Sequence, residues 1–437
     1  MNVDPFTYLL GLEQFGIKFG LENIRALTDR LGHPERAFRS VHVAGTNGKG
    51  SVTAMVDSAF RAAGHRSARY TSPHLIDLTE RFVIDGHPTT QAAVAKVIAD
   101  LHEVVNELLA TGALQVQPTF FEVTTAAAFE LFRRAGIDIA VFEVGLGGRL
   151  DATNVISPVV SAITSIAFDH QQYLGSTLAE IAREKAGTIK PAVPVVVGAL
   201  PTEAFVVIEQ TAHDRGAQLI RASEGVTVDE VRLQSAPTRL RLRTPARDYG
   251  EIELALGGAH QVANALVAVR VLEVVDACGL AVPIEAVSEG LATVRWPGRL
   301  ERRTLPDGRE ALLDAAHNAE GAAALAAYLA DADRGKPPLV FAAMRDKDVR
   351  AMLDALLPAV SALIVTRASN PRSADPETLA QHAHAVAPDF PVHLEHTVSD
   401  ALATAWRCAP TIVVAGSIFL LADVLKEIGA SSAGGAA

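Results

Sequence analysis

The sequence predicts an α/β protein with two domains, each built on a mostly parallel sheet. Short runs of β-branched and other apolar residues alternate with longer helical patterns, which is the order of βαβ units. The length of 437 residues exceeds one ordinary domain. A composition of 49% hydrophobic and 20% charged residues is typical of a folded α/β chain. We therefore expect a packed core in each domain.

Three strands are predicted early in the first domain, at residues 40–44, 138–144 and 159–166. The last two are nearly continuous apolar runs, as expected for strands buried on both faces of a sheet. Each strand leads into a polar or glycine-rich loop. Because ligands of open α/β sheets bind beyond the carboxyl ends of the strands, these loops should carry the chemistry.

A domain boundary is predicted near residue 297. The segment 293–299 breaks the alternation with Pro297 and Gly298, and a fresh αβ pattern follows it. Strands of the second, smaller domain are predicted at residues 311–314, 339–343, 362–366 and 411–415. The predicted divisions are domains 1–297 and 298–428 and a disordered tail at 429–437.

Charge, cysteine content and hydropathy exclude several classes of protein. A formal net charge of −11 argues against nucleic-acid binding, which depends on clustered Lys and Arg. Cys278 and Cys408 lie far apart, so neither a disulfide framework nor a zinc site is indicated. The N-terminus does not resemble a signal peptide, and no apolar run of about 20 residues lacks a charge. We expect a cytoplasmic protein without membrane contacts.

The strongest motif is the segment Ala44–Ser51, which lies between a predicted strand and an amphipathic helix. Its glycines let backbone N–H groups point at oxyanions, the helix N-terminus adds a positive dipole, and Lys49 adds a charge. The strict GxxxxGK[ST] pattern fails, because Val43 replaces its first glycine and Gly50 separates Lys49 from Ser51. The alternative is a glycine-rich turn with a solvated lysine. A phosphate loop is favoured, but the loop alone leaves a kinase, a hydrolase and a ligase open.

Other candidate residues carry less information by themselves. Glu143 and His170 follow successive predicted strands, which favours a metal site over an ordinary strand cap and an ordinary histidine. Lys185, taken alone, is better explained as a solvated lysine on a helix surface. The glycines at 145, 147 and 148 are not followed by the third glycine and helix of a dinucleotide-binding motif.

Taken together, the motifs of this chain resemble those of the folylpolyglutamate synthase/dihydrofolate synthase family of Mur-type ligases. In the first domain the resemblance rests on the phosphate loop and on segments 70–75, 80–81, 119–122, 143–154 and 169–170. It continues through segments 183–187, 297–299, 314–318, 346–348 and 416–417. The motifs cover nearly the whole chain in order, which makes their combination specific.

The resemblance implies a P-loop-containing, Mur-ligase-like domain that binds ATP, followed by a Rossmann-like glutamate-ligase domain. The positions that match the family's ATP contacts are Gly48, Lys49, Gly50, Ser51, Asn264, Arg299 and Asp314. The positions that match its Mg²⁺ ligands are Ser51, Ser72, Glu143, His170 and Lys185. Lys185 matches a lysine that the family carries as a carbamate, that is, carboxylated on Nζ. K⁺ is a further candidate cation.

The resemblance also implies the substrates. Dihydropteroate or folate would contact Thr119, Phe120, Phe121, Glu122, Leu150, Asp151 and Ala152, and L-glutamate would contact Arg81, His317 and Ser417. The expected catalytic residues are Lys49, Lys185 and His317. The implied reaction transfers the γ-phosphoryl group of ATP to a carboxylate and then joins the acyl phosphate to glutamate.

Segments 119–122 and 150–152 resemble those of bifunctional bacterial members, so we expect an enzyme acting on both dihydropteroate and reduced folates. We also expect a monomer. The alternatives are a folylpolyglutamate synthase only, another Mur-type amide ligase, a P-loop kinase or ATPase, and a nucleotide-binding module without turnover. Glutamate-dependent release of ADP separates the ligases from the last two classes.

Overall fold

A computed structural model describes residues 4–232, 237–331 and 335–433. Its largest sheet has eight strands in the order β4-β3-β2-β5-β1-β6-β7-β8. The strands are β1 (Arg39–Ala44), β2 (Ser67–Tyr70), β3 (Phe82–Ile84), β4 (His87–Pro88), β5 (Ile139–Glu143), β6 (Val160–Ile163), β7 (Val195–Val197) and β8 (Leu219–Arg221). All neighbours pair in parallel except β2 with β3 and β3 with β4. The three strands predicted around the phosphate loop are therefore confirmed, with β1 at the centre between β5 and β6.

Helices cover both faces of this sheet. They are α1 (Pro5–Gly11), α2 (Glu22–Arg30), α3 (Lys49–Ala62), α4 (Gln91–Ala110), α5 (Phe120–Ala135), α6 (Gln171–Leu174), α7 (Leu178–Ala186), α8 (Thr202–Asp214), α9 (Ala259–Ala277) and α10 (Ile284–Thr293). One core joins the sheet to α3, α9 and α10, and a second joins it to α1, α2, α4 and α5. The strand residues are buried on both sides, as their continuous apolar runs predicted.

A small antiparallel sheet of three strands was not predicted. It consists of β9 (Thr227–Arg232), β10 (Thr238–Arg243) and β11 (Asp248–Leu254). In β10, Thr238, Leu240 and Leu242 are buried and the three arginines between and after them are exposed. This strict alternation of apolar and charged residues is a strand signal that the search for buried parallel strands overlooked.

The third sheet has six strands in the order β12-β13-β17-β14-β15-β16. They are β12 (Glu301–Thr304), β13 (Glu310–Leu313), β14 (Leu339–Phe341), β15 (Leu363–Val365), β16 (Val392–Leu394) and β17 (Thr411–Ala415). Only β12 runs antiparallel to its neighbour. Its helices are α11 (Ala319–Asp331), α12 (Val349–Leu356), α13 (Pro376–Val386), α14 (Val398–Cys408) and α15 (Ile418–Ala433). The four strands predicted after residue 297 are confirmed.

The C-terminal tail begins later than predicted. Helix α15 continues to Ala433, so residues 429–433 are helical and the tail predicted to begin at 429 is wrong there. The single Gly429 does not end the helix, because a glycine inside a helix costs only about 1 kcal/mol relative to alanine. Residues 434–437 of the predicted tail lie outside the described residues. Over the described ranges, no helix is both long and apolar enough to cross a membrane.

Replacing Gly290 with Val should destabilise the N-terminal part of the fold. A Cβ at Gly290 would lie 2.5 Å from Ala59 Cα and 2.6 Å from Ala59 N, so α10 would have to move away from α3. We expect a loss of at least about 2 kcal/mol, measured as a lower urea midpoint by circular dichroism. The control is Gly11→Val at the exposed end of α1, where a Cβ meets nothing within 4 Å. Equal midpoints for the two variants would contradict this account of the packing.

Candidate active site

The phosphate loop connects the end of β1 to the start of α3 and lies against two other elements. Gly45 and Gly48 have positive φ angles of 150° and 82°. A Cβ at Gly45 would lie 1.9 Å from Thr164 Oγ1, and a Cβ at Gly48 would lie 2.3 Å from Asn264 Oδ1. Side chains are therefore excluded both by backbone conformation and by space. The turn presents the N-terminus of α3 to an anion, as expected of a phosphate loop.

Trp296 packs against the third glycine of the loop. A Cβ at Gly50 would lie 2.4 Å from Trp296 Cζ2, so the indole lies directly on the first turn of α3. The guanidinium of Arg69 lies 5.8 Å from the centroid of the Trp296 ring, and Arg69 also donates to Asp57 Oδ2 at 2.7 Å. This tryptophan immediately precedes the proposed boundary at 297. It had not been recognised in the sequence, where a lone tryptophan carries no signal.

Two lysines converge on one carbonyl oxygen of the loop. Lys49 Nζ donates to Gly45 O at 3.1 Å and to Thr46 O at 3.0 Å, and Lys185 Nζ donates to Gly45 O at 2.9 Å. Lys185 is only 3% exposed, so it is not a solvated surface lysine. Burial, followed by the charge of Lys49, lowers the pKa of Lys185 to about 7. The two cations leave a surplus of positive charge for an anionic ligand or modification to neutralise.

The predicted metal ligands Glu143 and His170 both lie near Lys49. Glu143 ends β5, and its Oε2 accepts the backbone N–H of Ser72 at 3.2 Å. Burial raises the pKa of Glu143, while Lys49 counteracts this rise. Burial lowers the pKa of His170 to about 4, so its imidazole is neutral at pH 7, as a metal ligand must be. The charge of Lys49 acts on Glu143, His170 and Lys185 alike, which places all three near the loop.

The donor chemistry of these residues fits Mg²⁺ with phosphate and water completing its coordination. Ser51 and Ser72 carry hydroxyl oxygens, Glu143 a carboxylate, and His170 a single neutral imidazole. In the part of the chain that the structure describes, no group of three His, Cys, Asp or Glu side chains is placed to hold a metal. A metal here would therefore depend on hydroxyl, phosphate and carbamate oxygens.

Helix α9 packs against the phosphate loop through Gln261 and Asn264. Gln261 Nε2 donates to Ser51 Oγ at 3.2 Å, and Asn264 Nδ2 donates to Gln261 Oε1 at 3.0 Å. Ser51 and Gln261 are both 1% exposed. Asn264, a predicted ATP contact, therefore lies against the loop, whereas Gln261 is a neighbour that the sequence did not indicate.

Arg299 lies just before β12 and Asp314 directly after β13, and both are close to His260 of α9. The carboxylate of Asp314 accepts the backbone N–H groups of Leu300 and Ala316, each at 2.9 Å. Burial lowers the pKa of His260, and the charges of Asp314 and Arg299 also act on it. Beside this group is a cavity of about 500 Å³ between the start of α9 and the small residues of α11, lined by Gly258, Ala259, His260, Ala324, Ala327, Tyr328 and Ala330.

The two halves of the chain meet in a polar cluster around Asp169. Its Oδ2 accepts a hydrogen bond from Nδ2 of Asn318 at 3.2 Å and lies 3.6 Å from Nε2 of His317. Its Oδ1 forms an ion pair with Lys347. Asn318 and Asn47 exchange two amide hydrogen bonds of 3.0 Å and 3.1 Å. Burial would raise the pKa of Asp169, but His317 and the charges nearby hold it well below its usual range. His317 thus lies beside both the loop of His170 and the phosphate loop.

The residues predicted to contact dihydropteroate divide into two kinds. Thr119 and Glu122 form a capping box at the start of α5, and Asp151 accepts the N–H groups of Thr153 and Leu146 at 3.0 Å and 2.9 Å. These side chains and Ala152 are buried, so they shape the segments. The remaining three, which are only partly buried, are Phe120, Phe121 and Leu150.

The residues predicted to bind glutamate do not form one cluster by direct contact. Arg81 is 7% exposed, donates Nε–H to His74 Nδ1 at 2.9 Å, and stacks 5.1 Å from the centroid of Phe120. Ser417 accepts the N–H of Phe419 at 3.2 Å near the start of α15. Arg81 therefore lies beside the pteroate segment, while His317 and Ser417 belong to the other half of the chain.

A set of exposed apolar side chains near the site was missed in the sequence. Phe15, Ile17 and Phe19 are between 43% and 51% exposed, and the ring centroid of Phe19 lies 6.0 Å from that of Tyr173. Tyr173 follows His170 by three residues. The signal was available, since apolar residues at 15, 17 and 19 fit no amphipathic helix. Such exposed rings suit a flat heterocyclic ligand.

Comparison with known proteins agrees with this geometry. The Mur ligase middle domain matches residues 85–272, and the glutamate ligase domain of Mur ligases matches residues 298–418. The dihydrofolate synthase/folylpolyglutamate synthase of Bacillus subtilis is 32% identical over 447 residues, which cover 97% of this chain and 98% of that protein.

Solved structures agree over a similar span. Folylpolyglutamate synthase of Mycobacterium tuberculosis, complexed with ADP and AMPPCP, is 36% identical with a TM-score of 0.89, covering 98% of this chain and 99% of that one. Escherichia coli FolC in complex with DHPP and ADP is 30% identical with a TM-score of 0.84, covering 98% of both chains. The predicted fold class is confirmed, and the sequence and fold agree over nearly the full length: this chain belongs to the dihydrofolate synthase/folylpolyglutamate synthase family.

Proposed function

We propose that this protein is an ATP-dependent ligase that joins L-glutamate to dihydropteroate and to reduced folates through an acyl phosphate. The observation that carries the proposal is the meeting of Lys49 and Lys185 on Gly45, beside Glu143, His170 and the interdomain residue His317. Nucleotide complexes of related structures support ATP as the phosphoryl donor. We assign residues 1–297 to nucleotide and pteroate binding and residues 298–428 to binding of the acceptor amino acid.

A carboxylate needs activation before an amine can attack it, because an oxide anion is a poor leaving group. A substrate carboxylate oxygen attacks the γ-phosphorus of ATP, which forms the acyl phosphate and releases ADP. Lys49 exchanges the carbonyls of Gly45 and Thr46 for the phosphoryl oxygens, and its charge then stabilises the transition state. Mg²⁺ bound by Ser51, Ser72, Glu143 and His170 would supply further positive charge to the phosphoryl group.

The second step forms the amide bond. The glutamate amine attacks the acyl carbon and loses one proton, the bond between that carbon and the phosphate oxygen breaks, and inorganic phosphate leaves carrying the former carboxylate oxygen. Arg81, His317 and Ser417 are our proposed contacts for the acceptor glutamate. Since His317 lies on the C-terminal side of the interface, closure of the domains would bring the amine to the acyl phosphate and exclude water.

Lys185 is suited to carboxylation by CO₂. A pKa of about 7 leaves much of its amine neutral near neutral pH, and only the neutral amine attacks CO₂. The nitrogen forms a bond to carbon and releases one proton, which converts a cation into an anionic oxygen ligand. The change would relieve the repulsion between Lys185 and Lys49 and add a metal ligand.

Action on both substrates is the favoured form of the proposal. It is supported by Phe120, which stacks against Arg81, and by the B. subtilis relative, which is named for both activities. A folylpolyglutamate synthase without the first activity, or another Mur-type ligase, is the alternative. A monomer in the cytoplasm with K⁺ as an additional cation is the remaining part of the proposal. The cytoplasmic location rests on the two isolated cysteines.

The substrate panel that tests the proposal measures ADP release with dihydropteroate, tetrahydrofolate or a UDP-linked carboxylate, each with and without glutamate. We expect glutamate-dependent ADP and phosphate release in equal amounts with the first two, and a hydroxamate when hydroxylamine traps the acyl phosphate. Turnover only with tetrahydrofolate would leave the single-activity alternative. ADP release that does not depend on glutamate would indicate an ATPase or a kinase.

Replacing Lys49 with Ala should lower kcat by about 100-fold or more, because it removes the cation nearest the transferring phosphoryl group. Since the side chain is half-buried and its partners are backbone carbonyls, the fold should persist, as checked by circular dichroism. Lys96→Ala is the control, an exposed lysine on α4. Near-wild-type turnover in Lys49→Ala would overturn the phosphate-loop assignment.

Carbamate on Lys185 can be observed by ¹³C NMR in ¹³C-bicarbonate. We expect one carbamate signal that grows as pH rises through about 7 at constant dissolved CO₂, because the neutral amine becomes abundant there. Lys185→Met should remove the signal and most activity. Lys190→Met is the control and should keep the signal. Burial also lowers the pKa of Lys190, to about 8, but two hydrogen bonds to Asn154 hold its amine away from CO₂. A wild-type protein without the signal at any pH would refute carboxylation.

A further inference from the structure

Asp169 is a carboxylate of the N-terminal half whose side-chain partners come largely from the other half of the chain. It lies in the loop after β6, directly before His170, and its side chain is 8% exposed. Lys347, Asn318 and His317 meet it from the C-terminal half. A buried carboxylate needs such partners, because desolvation of an unpaired charge is costly.

Lys347 is nearly as well buried as its partner. It lies in the loop between β14 and α12, and its side chain is 9% exposed. The other nearby carboxylate, Asp346, is 26% exposed and lies 3.8 Å from Lys347 Nζ. The contact between Lys347 and Asp169 is the shorter of the two. The Lys347 ammonium is therefore committed to the carboxylate across the interface.

The cluster extends to the phosphate loop. Asn318 links Asp169 to Asn47, and Asn47 Nδ2 also lies 2.5 Å from Glu320 Oε2 at the start of α11. Neither Asp169 nor Lys347 was needed to account for nucleotide, metal or substrate binding. Their contacts nevertheless join the loop of His170, the phosphate loop and His317, so the ion pair can control how these three are placed.

We propose that Lys347 and Asp169 are positioning residues that hold the two halves of the protein closed over the reaction site. Lys347 acts through Asp169 on the loop of His170 and on His317, and it contacts no substrate. Its effect on catalysis rests on the ligase function proposed above. If the pair is lost, water reaches the acyl phosphate, which then yields the free carboxylate and inorganic phosphate, and ATP is consumed without an amide bond.

The test is Lys347→Met, which keeps an unbranched side chain one atom shorter and removes the charge. We expect the ADP released per amide formed to rise from about one to several, and kcat/KM for glutamate to fall by about 10- to 100-fold through KM. Arg345→Met is the control, an exposed cation two residues away in the same loop, and it should behave as wild type. An unchanged ratio and an unchanged KM in Lys347→Met would overturn the proposal.

Chemical rescue separates the charge from any general loss of structure. Cys278 and Cys408 are exposed and are first replaced by Ser. Lys347→Cys in that background should be uncoupled, and alkylation with bromoethylamine, which restores an ammonium at the same distance, should restore the ratio of ADP to amide. Uncoupling that persists after complete alkylation would overturn the proposal.

Small-angle X-ray scattering tests the pair independently of the reaction. Lys347→Met should have a larger radius of gyration than wild type in the same buffer, and Arg345→Met should not. Equal radii would refute the closure role even if the enzyme is an active ligase. Conversely, an absence of glutamate-dependent ADP release in the wild-type protein would refute the proposed function, and the scattering would still decide whether the pair holds the domains.

Discussion

The active site depends on three glycines of the phosphate loop, each of which lies so close to a neighbouring residue that a side chain would not fit. Gly45 faces Thr164 on the neighbouring strand, Gly48 faces Asn264 on α9, and Gly50 faces Trp296. Any Cβ would push one of these elements outward. The close approach brings strand β6, helix α9 and the end of the N-terminal half to within contact of one turn. It also leaves the N-terminus of α3 open toward the other half of the chain.

The electrostatics follow from this crowding. Lys49 and Lys185 share the carbonyl of Gly45, and burial lowers the pKa of Lys185 to about 7. Glu143 has a raised pKa in spite of the lysine beside it, since it is fully buried. The protein alone does not balance these charges well. An anionic ligand bound beside the two lysines would stabilise the folded state, because it binds the native arrangement and not the unfolded chain.

Much of this arrangement could be predicted from the sequence. The strands β1, β5 and β6 were evident as apolar runs, and their parallel pairing placed Glu143 and His170 near the loop. Lys185 was placed at the site by the family resemblance alone, because helical periodicity does not reveal that its side chain reaches across 140 residues to Gly45. Trp296 and Gln261 were not predicted, and Asp169 lay in a recognised motif without an assigned role, because their roles arise from contacts between distant segments that no local pattern encodes. The alternation in β10 was a local signal that was simply overlooked.

The position of Trp296 has a mechanical consequence. Its indole is fixed on the first turn of α3, and the connection to the C-terminal half leaves from the very next residue. The hinge for any rotation of the C-terminal half is therefore fixed beside the phosphate loop. Points near the hinge move little, and points at the far end of the lever arm move most. A nucleotide bound at the loop would keep its position while the C-terminal half rotates, whereas the surface that binds the second substrate would move most.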